Sequence, residues 1–481
     1  MSIPPVLLEN IPLLSGEEFA ESVTGKLRSG GRAAAFFAIT EESAFRLVMV
    51  IARDAQGRLE IVSTMAAGSF PSLTAELPQL HLFEREIYEI TGLRPQGHPW
   101  LKPVRFTGAA AQPGVAEYFR VHGSEVHEVA VGPVHAGIIE PGHFRFQCHG
   151  EKVFHLEIAL GYQHRGVERR LACGPDARSL HYAQTLAGDT TAGHAWAYCD
   201  TVEALAGAAV PARAQVLRAI MLELERLANH TGDLGALAGD VAYLPTASFC
   251  GRLRGDFLNM TALICGNRFG RNMFVPGGVN FDLDAALVTE LKLRLDAAFR
   301  DAEAAVALLL KTNSVVDRFD AAGLLLSDAA RGLGLVGPVA RACGIPLDTR
   351  RNFPFGPYHD FTLSASGRGD VYARAYVRWA EMQKSAQLIG SWLAALPGGP
   401  VVAQCGPLKP GAAAVSLIEG WRGQICHVAI TDAAGNFRSY KVVDPSFHNW
   451  MGLAMALRNG EISDFPLCNK SFNLSYCGHD L

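Results

Sequence analysis

The stretch PARAQVLRAIMLELERLANH at 211–230 carries the clearest helical pattern in the chain. Its apolar residues recur at spacings of three and four, which places them on one face of an α-helix. The stretches at 284–312 and 370–396 repeat this spacing over a similar length. Three long amphipathic helices predict that the middle of the molecule is a helix bundle.

Strand patterns flank these helices. Apolar and polar residues alternate on either side of HisGlyGluLys in GPVHAGIIEPGHFRFQCHGEKVFHLEI (132–158). This alternation predicts a β-hairpin with a loop at its entry. GQICHVAITDAAGNFRSYKVVDPSF (423–447) predicts a second hairpin with a GlyAsn turn, followed by an apolar helix and a polar tail. Nearer the N-terminus, apolar runs from Arg32 to Ala66 predict a small antiparallel sheet, and LPQLHLFEREIYEITG predicts a helix that ends at Gly92.

Composition describes a folded protein. The 481 residues are 49% hydrophobic and 19% charged, which excludes wholesale disorder. A net charge of −4 provides no basic field for nucleic acid, so DNA and RNA are not expected partners. The mean hydropathy of +0.13 fits either apolar surface covered by other subunits or simply an alanine-rich chain.

Cysteine spacing and the N-terminal sequence bear on location. The ten cysteines are scattered without a single CysxxCys pair, which is typical of reduced cytoplasmic thiols and not of a cysteine-ligated cluster. The first residues have no basic segment before an apolar run, so no secretory signal is expected. No apolar stretch reaches about 18 residues, which predicts that any membrane link goes through partner subunits.

Several segments resemble known families. GluArgGluIleTyrGlu (84–89) with GlyLeuArgProGlnGlyHisPro (92–99) resembles the signature of the complex I 30 kDa subunit. The rest resembles the complex I 49 kDa subunit and the large subunit of membrane-bound nickel–iron hydrogenases. That resemblance lies in GlyProValHis (132–135), GluProGlyHisPheArg (140–145), HisArgGlyValGlu (164–168), GluLeuGluArgLeuAlaAsnHis (223–230), ArgAsnMetPheValProGlyGlyVal (271–279), GlyAspValTyrAlaArg (369–374) and AspProSerPhe (444–447).

Both modules on one chain resemble the group 4 large subunits of formate hydrogenlyase and hydrogenase-4. The resemblance implies an α+β fold: a small N-terminal α/β domain of the 30 kDa type, then a mainly α-helical bundle with small antiparallel sheets. We expect the first domain at 1–107, a linker at 108–120, and the hydrogenase or 49 kDa-like domain at 121–481.

The family's metal site tests this resemblance. Four cysteine thiolates hold its nickel and iron, in two pairs spaced CysxxCys, because such a redox site needs soft sulfur ligands. Aligning the histidine after the first pair with His194 places that pair at Ala187 and Thr190. The second pair follows SerPheAspPro in the family and falls on Ser475 and Gly478. None of the four residues supplies a thiolate, so we expect no metal on this chain.

The equivalent pocket of complex I takes a quinone. The family uses a loop histidine, a tyrosine at the first cysteine motif and an aspartate that orients the histidine, since a quinone carbonyl needs donors that also deliver protons. His135 matches the histidine and Asp240 falls at the aspartate, whereas Gly188 stands at the tyrosine. His194 or Tyr198 is a candidate replacement donor. The alternatives are that His135 satisfies backbone groups and that Asp240 caps a turn.

Four other polar residues are candidates for functional roles. His164 and Glu168 lie in the HisArgGlyxGlu pattern, where the glutamate either passes protons towards the membrane arm or forms a surface ion pair. Arg268 and Arg271 either face an iron–sulfur cluster of a partner and raise its potential, or pack against that partner.

Two functions remain open at this point, with a working nickel–iron hydrogenase as the least favoured interpretation. In the first, the chain is a non-nickel large subunit of a complex I-related redox or ion-translocating complex, docking an iron–sulfur subunit to antiporter-like membrane subunits. In the second, it reduces a quinone or another small acceptor in the vacated pocket. The partners implied are a small iron–sulfur subunit, a ferredoxin-like subunit and the antiporter-like subunits, on the cytoplasmic face of the inner membrane, with a possible quinone as the bound cofactor.

Overall fold

The computed structural model of the chain describes residues 4–107, 117–135, 139–359 and 361–481. The predicted linker at 108–120 therefore falls mostly outside the described residues, as does part of the loop that enters the first hairpin. Within the described ranges, every helix is too short or too polar to cross a membrane.

The N-terminal part alternates short strands with two helices. Its elements are β1 (Val6–Leu7), β2 (Leu13–Leu14), α1 (Gly16–Arg28), β3 (Arg32–Thr40), β4 (Phe45–Arg53), β5 (Arg58–Ala66), β6 (Ser69–Pro71), α2 (His81–Thr91) and β7 (Arg94–Gln96). Strands β3, β4 and β5 form the predicted antiparallel sheet, and β2 adds to it in parallel beside β5. Helix α2 ends at Gly92 as predicted, with a φ of 77° that favours glycine.

The second part begins with a three-stranded sheet and continues into helices. Its first elements are β8 (His127–Val131), β9 (His143–His149), β10 (Lys152–Ala159), α3 (Val167–Leu171), α4 (Ser179–Ala183), α5 (Thr191–Ala206), α6 (Ala212–Asp240), α7 (Leu244–Cys265), β11 (Phe274–Val275), β12 (Gly278–Val279) and α8 (Ala285–Lys311). Strands β9 and β10 pair as the predicted hairpin.

The remaining elements complete the bundle and add a second sheet. They are α9 (Asn313–Phe319), α10 (Ser327–Gly332), α11 (Gly337–Ala342), α12 (Thr349–Asn352), α13 (Val371–Ala394), β13 (Ala412–Gly420), β14 (Gly423–Thr431), β15 (Phe437–Val443), α14 (Pro445–Ala456), α15 (Phe465–Phe472) and α16 (Tyr476–Asp480). Strands β14 and β15 are the second predicted hairpin, and β13, which the sequence patterns did not identify, pairs with β14.

The helix bundle packs α5, α7, α8 and α13 around α6. Helix α6 is buried along most of its length, which explains its long apolar pattern. Helices α8 and α13 begin where predicted because Asp284 and Asp370 accept hydrogen bonds from the backbone N–H groups of Leu287 and Ala373, both at 2.8 Å. The predicted α+β class is confirmed.

The sheet β1-β13-β14-β15 joins the two parts of the chain. One face packs on the helix bundle, and the other shares a hydrophobic core with the N-terminal sheet. Phe36 and Val48 of the N-terminal sheet belong to the same core as Val428 and Phe447. Because β1 also pairs directly with β13, the two family modules share strands and core.

The predicted polar tail after α14 is wrong. Helices α15 and α16 are mostly buried, although many of their residues are polar. The carboxylate of Asp480, for example, accepts hydrogen bonds from the backbone N–H groups of Gly161 and Gln163, both at 2.9 Å. Polar residues that are fully paired inside the fold cannot be distinguished by composition from exposed ones.

A group of buried charged side chains crosses the middle of the second part. We call it the buried charge network; its members are Glu223, Arg226, Arg341, Asp348, Arg350, Glu381 and Glu419. It connects α6, α11, α12, α13 and β13, so ion pairs as well as apolar contacts fix these elements relative to each other.

Candidate functional site

The segments that align with the family's metal ligands, 187–190 and 475–478, lie side by side although they are almost 300 residues apart. The Arg165 guanidinium donates to the carbonyl oxygens of Leu186 at 2.9 Å and of Cys477 at 3.2 Å. The retained HisArgGlyxGlu motif thus holds the two segments together.

Arg422 makes a second connection between these segments. Its guanidinium donates to both carboxylate oxygens of Asp189, at 2.6 and 2.8 Å, and to the carbonyl oxygen of Asn473 at 2.6 Å. It also donates to the Thr190 hydroxyl at 3.2 Å and lies 3.8 Å from the centre of the Trp421 ring. Burial alone would lower the pKa of Arg422, but the Asp189 carboxylate outweighs it and raises that pKa. The cation is therefore permanent.

The four ligand positions hold groups that cannot replace thiolates. Ala187 contributes a buried methyl group, and the Thr190 hydroxyl is bonded to the guanidinium beside it. The Ser475 hydroxyl caps α16 by accepting a hydrogen bond from the N–H of Gly478 at 2.9 Å. At Gly478 itself, a Cβ atom would lie 2.7 Å from the Asp444 carboxylate. The carboxylate occupies the room that a fourth ligand side chain would need.

Cys477 does not compensate for these losses. Burial, together with the nearby Glu140 carboxylate, raises the pKa of its thiol to about 12, so it is a neutral thiol at physiological pH. The Glu140 carboxylate accepts from the backbone N–H groups of Tyr476 at 3.2 Å and of Cys477 at 3.1 Å. Among the described residues, no group of histidine, cysteine and acidic side chains is arranged to hold a metal ion. The residues present do not fit a nickel–iron centre.

An open cavity of about 590 Å³, the central cleft, lies beside these segments. Its walls combine apolar and aromatic side chains with charged ones, a mixture typical of sites for small molecules. The lining residues include His135, Glu140, Phe144, Asp189, Asp240, Arg422, Phe465, Asn469, Lys470, Asn473 and Tyr476.

His135 lines this cleft. Its Nε2 atom donates to the carbonyl oxygen of Gly142 at 2.9 Å. Asp240 lines the same cleft at the end of α6, but the hydrogen bond of the His135 ring is to Gly142 and not to Asp240. Gly188, at the former tyrosine position, faces open space, since a Cβ there would meet no atom within 4 Å.

His194 is not among the residues that line the central cleft, contrary to its prediction as a replacement donor. It is buried behind the vacated positions, where its Nε2 atom lies 3.1 Å from the Asp444 carboxylate. Its Nδ1 atom lies 3.1 Å from Nε2 of His427. Tyr198 is also buried in the bundle core. Neither ring can contact a ligand in the cleft.

A second cavity, the junction cleft, has about 680 Å³ and lies between the N-terminal domain and β15. Both His164 and Glu168 line it. The Glu168 carboxylate accepts from the backbone N–H of Val442 at 2.7 Å and forms an ion pair with the Lys441 ammonium at 2.9 Å. Lys441 also binds Glu86 of α2 at 2.7 Å, so Glu168 belongs to an ion-pair group at the domain junction.

Arg268 and Arg271 are exposed on the loop after α7, away from both clefts. The Arg268 guanidinium lies 4.6 Å from the centre of the Phe269 ring. Their exposure fits either predicted role, because each role needs a partner subunit.

Sequence reasoning missed Arg422 and Asp444 as site residues. Asp444 stands out in the sequence only as part of a family segment, and a lone arginine between two strands carries no spacing signal. Their importance depends on contacts with residues more than 200 positions away along the chain, which no local pattern reports.

Comparisons with known proteins agree with this architecture. The family model for the respiratory-chain NADH dehydrogenase 30 kDa subunit matches residues 22–109. The model for the 49 kDa subunit of the same enzyme matches residues 240–410.

Individual relatives cover more of the chain. The carbon monoxide-induced hydrogenase of Rhodospirillum rubrum is 31% identical over 354 residues, which are 72% of this chain and 97% of the relative. Formate hydrogenlyase subunit 5 of Escherichia coli is 30% identical over 436 residues, covering 85% and 76%. An NADH-quinone oxidoreductase subunit of Solibacter usitatus is 30% identical over 320 residues, covering 66% and 86%.

Proposed function

Because the chain belongs to the family of complex I-related large subunits of hydrogenases and NADH-quinone oxidoreductases, with the 30 kDa and 49 kDa domains on one polypeptide, we propose that it is a non-nickel member. One observation carries this proposal: the Asp444 carboxylate fills the space of the fourth metal ligand. The nickel content of the intact complex is the deciding measurement.

The chain would act inside a larger assembly. Its relatives are subunits of multi-subunit enzymes by their names. A small iron–sulfur subunit, a ferredoxin-like subunit and antiporter-like membrane subunits are the partners we propose, on the cytoplasmic face of the membrane. Exposed Arg268 and Arg271 are candidates to face the iron–sulfur subunit, where a fixed positive charge would favour the reduced cluster.

A second candidate function is supported by the central cleft. Its volume of about 590 Å³ lies within the range of about 300 to 1,000 Å³ that suits small organic ligands. His135 and Lys470 place hydrogen-bond donors on its walls, and Phe144 and Phe465 provide aromatic surface. A quinone ring matches this combination, since it is flat and apolar with two carbonyl acceptors.

In this function the chain supplies binding and protons. A quinone becomes a hydroquinone by taking two electrons, which an iron–sulfur cluster of a partner would deliver, and two protons. Lys470 would donate a hydrogen bond to one carbonyl oxygen as it gains negative charge. The His135 ring, whose Nε2–H is bonded to the Gly142 carbonyl, would donate to the other oxygen from a protonated Nδ1. The Arg422 cation lies on the same wall, where its bidentate pair with the Asp189 carboxylate leaves little net charge.

Replacing His135 tests the acceptor site. We expect His135→Gln to weaken the binding of decylubiquinone to the intact complex about tenfold, because one hydrogen bond contributes roughly 1.4 kcal/mol. Isothermal titration of the complex with decylubiquinone measures this change.

The matched control is His149→Gln. His149 lies on β9, the strand that begins beside the cleft, but its ring is half-exposed and pairs with Glu125 at 2.7 Å. Its replacement should leave the affinity unchanged. The second candidate function would be ruled out if the wild type and His135→Gln bound decylubiquinone equally well, or if the wild type did not bind it at all. The first candidate function would be unaffected by either result.

A further inference from the structure

Four buried side chains form a continuous hydrogen-bonded row behind the vacated metal positions. The Asp444 carboxylate lies 3.1 Å from Nε2 of His194. Nδ1 of His194 lies 3.1 Å from Nε2 of His427, and Nδ1 of His427 lies 2.8 Å from the Tyr440 hydroxyl. The row draws on helix α5, the adjacent strands β14 and β15, and the start of α14.

The chemistry of the groups fixes the directions of these bonds. A carboxylate only accepts, so Nε2 of His194 carries a proton and donates to Asp444. If His194 is neutral, its Nδ1 accepts from Nε2–H of His427, and Nδ1 of His427 accepts from the Tyr440 hydroxyl. Every bond in the row then points towards Asp444.

The same row can hold one more proton without losing a bond. The Tyr440 hydroxyl proton moves to Nδ1 of His427 while the tyrosine oxygen takes a proton from water in the junction cleft, which Tyr440 lines. The Nε2 proton of His427 moves to Nδ1 of His194, which becomes an imidazolium. The row has then gained one proton, because each transferred proton has moved to the next residue in the direction of Asp444. The new positive charge lies against the Asp444 carboxylate, which balances it.

We propose that Asp444, His194, His427 and Tyr440 form a proton relay that loads one proton behind the vacated metal site. The inner end is at the Asp444 carboxylate, against Gly478 and two residues from the cleft-lining Tyr476. The outer end, Tyr440, belongs to the strand that borders the junction cleft, together with Glu168. The relay rests on the second candidate function and deepens it, because the proton held on His194 adds a positive charge behind the cleft while a quinone there gains electrons.

The surroundings keep the row isolated. All four residues are buried, and burial lowers the pKa of His427 far below its usual value, with the neighbouring His194 adding to the effect. Burial would raise the pKa of Asp444, but His194 and Arg422 hold it below its usual value. The other titratable groups that face the row are Tyr198, Cys199, Cys426 and His448. Among charged side chains, Arg422 acts on the Asp444 carboxylate.

The functional test uses Tyr440→Phe, which keeps the ring and removes the hydroxyl. In the intact complex, with reduced methyl viologen as electron donor, we expect decylubiquinone reduction to slow about 100-fold, the usual contribution of a positioned proton-transfer group. The solvent deuterium isotope effect should rise, which a purely structural defect would not cause. Tyr243→Phe is the control, since its hydroxyl accepts a hydrogen bond from Thr312 far from the row. An unchanged rate and isotope effect in Tyr440→Phe would overturn the relay while leaving quinone reduction intact.

A second measurement tests the proton relay even if the wild-type complex does not reduce a quinone. Solid-state NMR of the complex labelled with ¹⁵N-histidine reports the protons on both rings, with His427→Gln used for assignment. The relay allows only two combinations: both rings neutral with protons on Nε2, or His194 charged with the His427 proton on Nδ1. Two other combinations would contradict the relay. In one, His194 is charged while His427 keeps its proton on Nε2. In the other, His194 is neutral while His427 is protonated on Nδ1.

Discussion

Glu381→Ala is expected to lower the free energy of unfolding by about 3 to 5 kcal/mol, the usual loss when one partner of a buried ion pair is removed. The Glu381 carboxylate accepts from Nε of Arg341 at 2.9 Å, from His230 at 3.0 Å and from Arg226 at 3.4 Å. Burial opposes its ionisation, but Arg341 and His230 hold the pKa of Glu381 well below its ordinary value. Without the carboxylate, these donors remain buried with too few acceptors.

The urea midpoint of the full chain measures this loss, with tryptophan fluorescence as the signal because Trp421 lies buried in the core nearby. Gln383→Ala is the control, since Gln383 is exposed on the same helix, α13. Its midpoint should match that of the wild type. A Glu381→Ala midpoint equal to the control would show that the buried charge network does not stabilise the fold.

Gly478→Ala is expected to lower the free energy of unfolding by about 1 to 3 kcal/mol, because the new methyl group overpacks a filled space. The backbone of Gly478 does not require glycine, so the cost comes from the contact with Asp444 at 2.7 Å. For the same reason, cysteines introduced together at Ala187, Thr190, Ser475 and Gly478 should not restore a nickel–iron site.

A double-mutant cycle isolates this contact. Asp444→Ala removes the carboxylate, so the combined variant Asp444→Ala with Gly478→Ala should lose less stability than the sum of the two single changes. Gly188→Ala is the control in the adjacent segment, since a Cβ there meets nothing within 4 Å. Simple additivity in the cycle would mean that Asp444 does not occupy the ligand space.

Much of the fold could be predicted because it depends on local patterns. Helices α6, α8 and α13 follow from apolar spacing with Asp284 and Asp370 as caps, and Gly92 marks the end of α2. The β13 strand was missed because it is buried along its whole length, so its sequence does not alternate. The polar tail was mispredicted because its polar groups are paired inside the protein.

The candidate site was only partly predictable. The family resemblance points to four vacated positions and to His135, which lines the central cleft. The contacts beside these positions, from Arg422 to Asp189 and from Asp444 to His194, join residues more than 200 positions apart. The two residues of each contact could be paired only from the three-dimensional structure, because no sequence motif or spacing connects them.

The metal content of the intact complex tests the central claim most directly. Nickel and iron are measured on the purified complex by mass spectrometry, and hydrogen-dependent dye reduction is assayed on the same sample. We predict far less than one nickel per chain and no reduction of dye by hydrogen. One nickel per chain together with hydrogen-dependent activity would contradict the assignment of this chain as a non-nickel member, whatever the partner subunits contain.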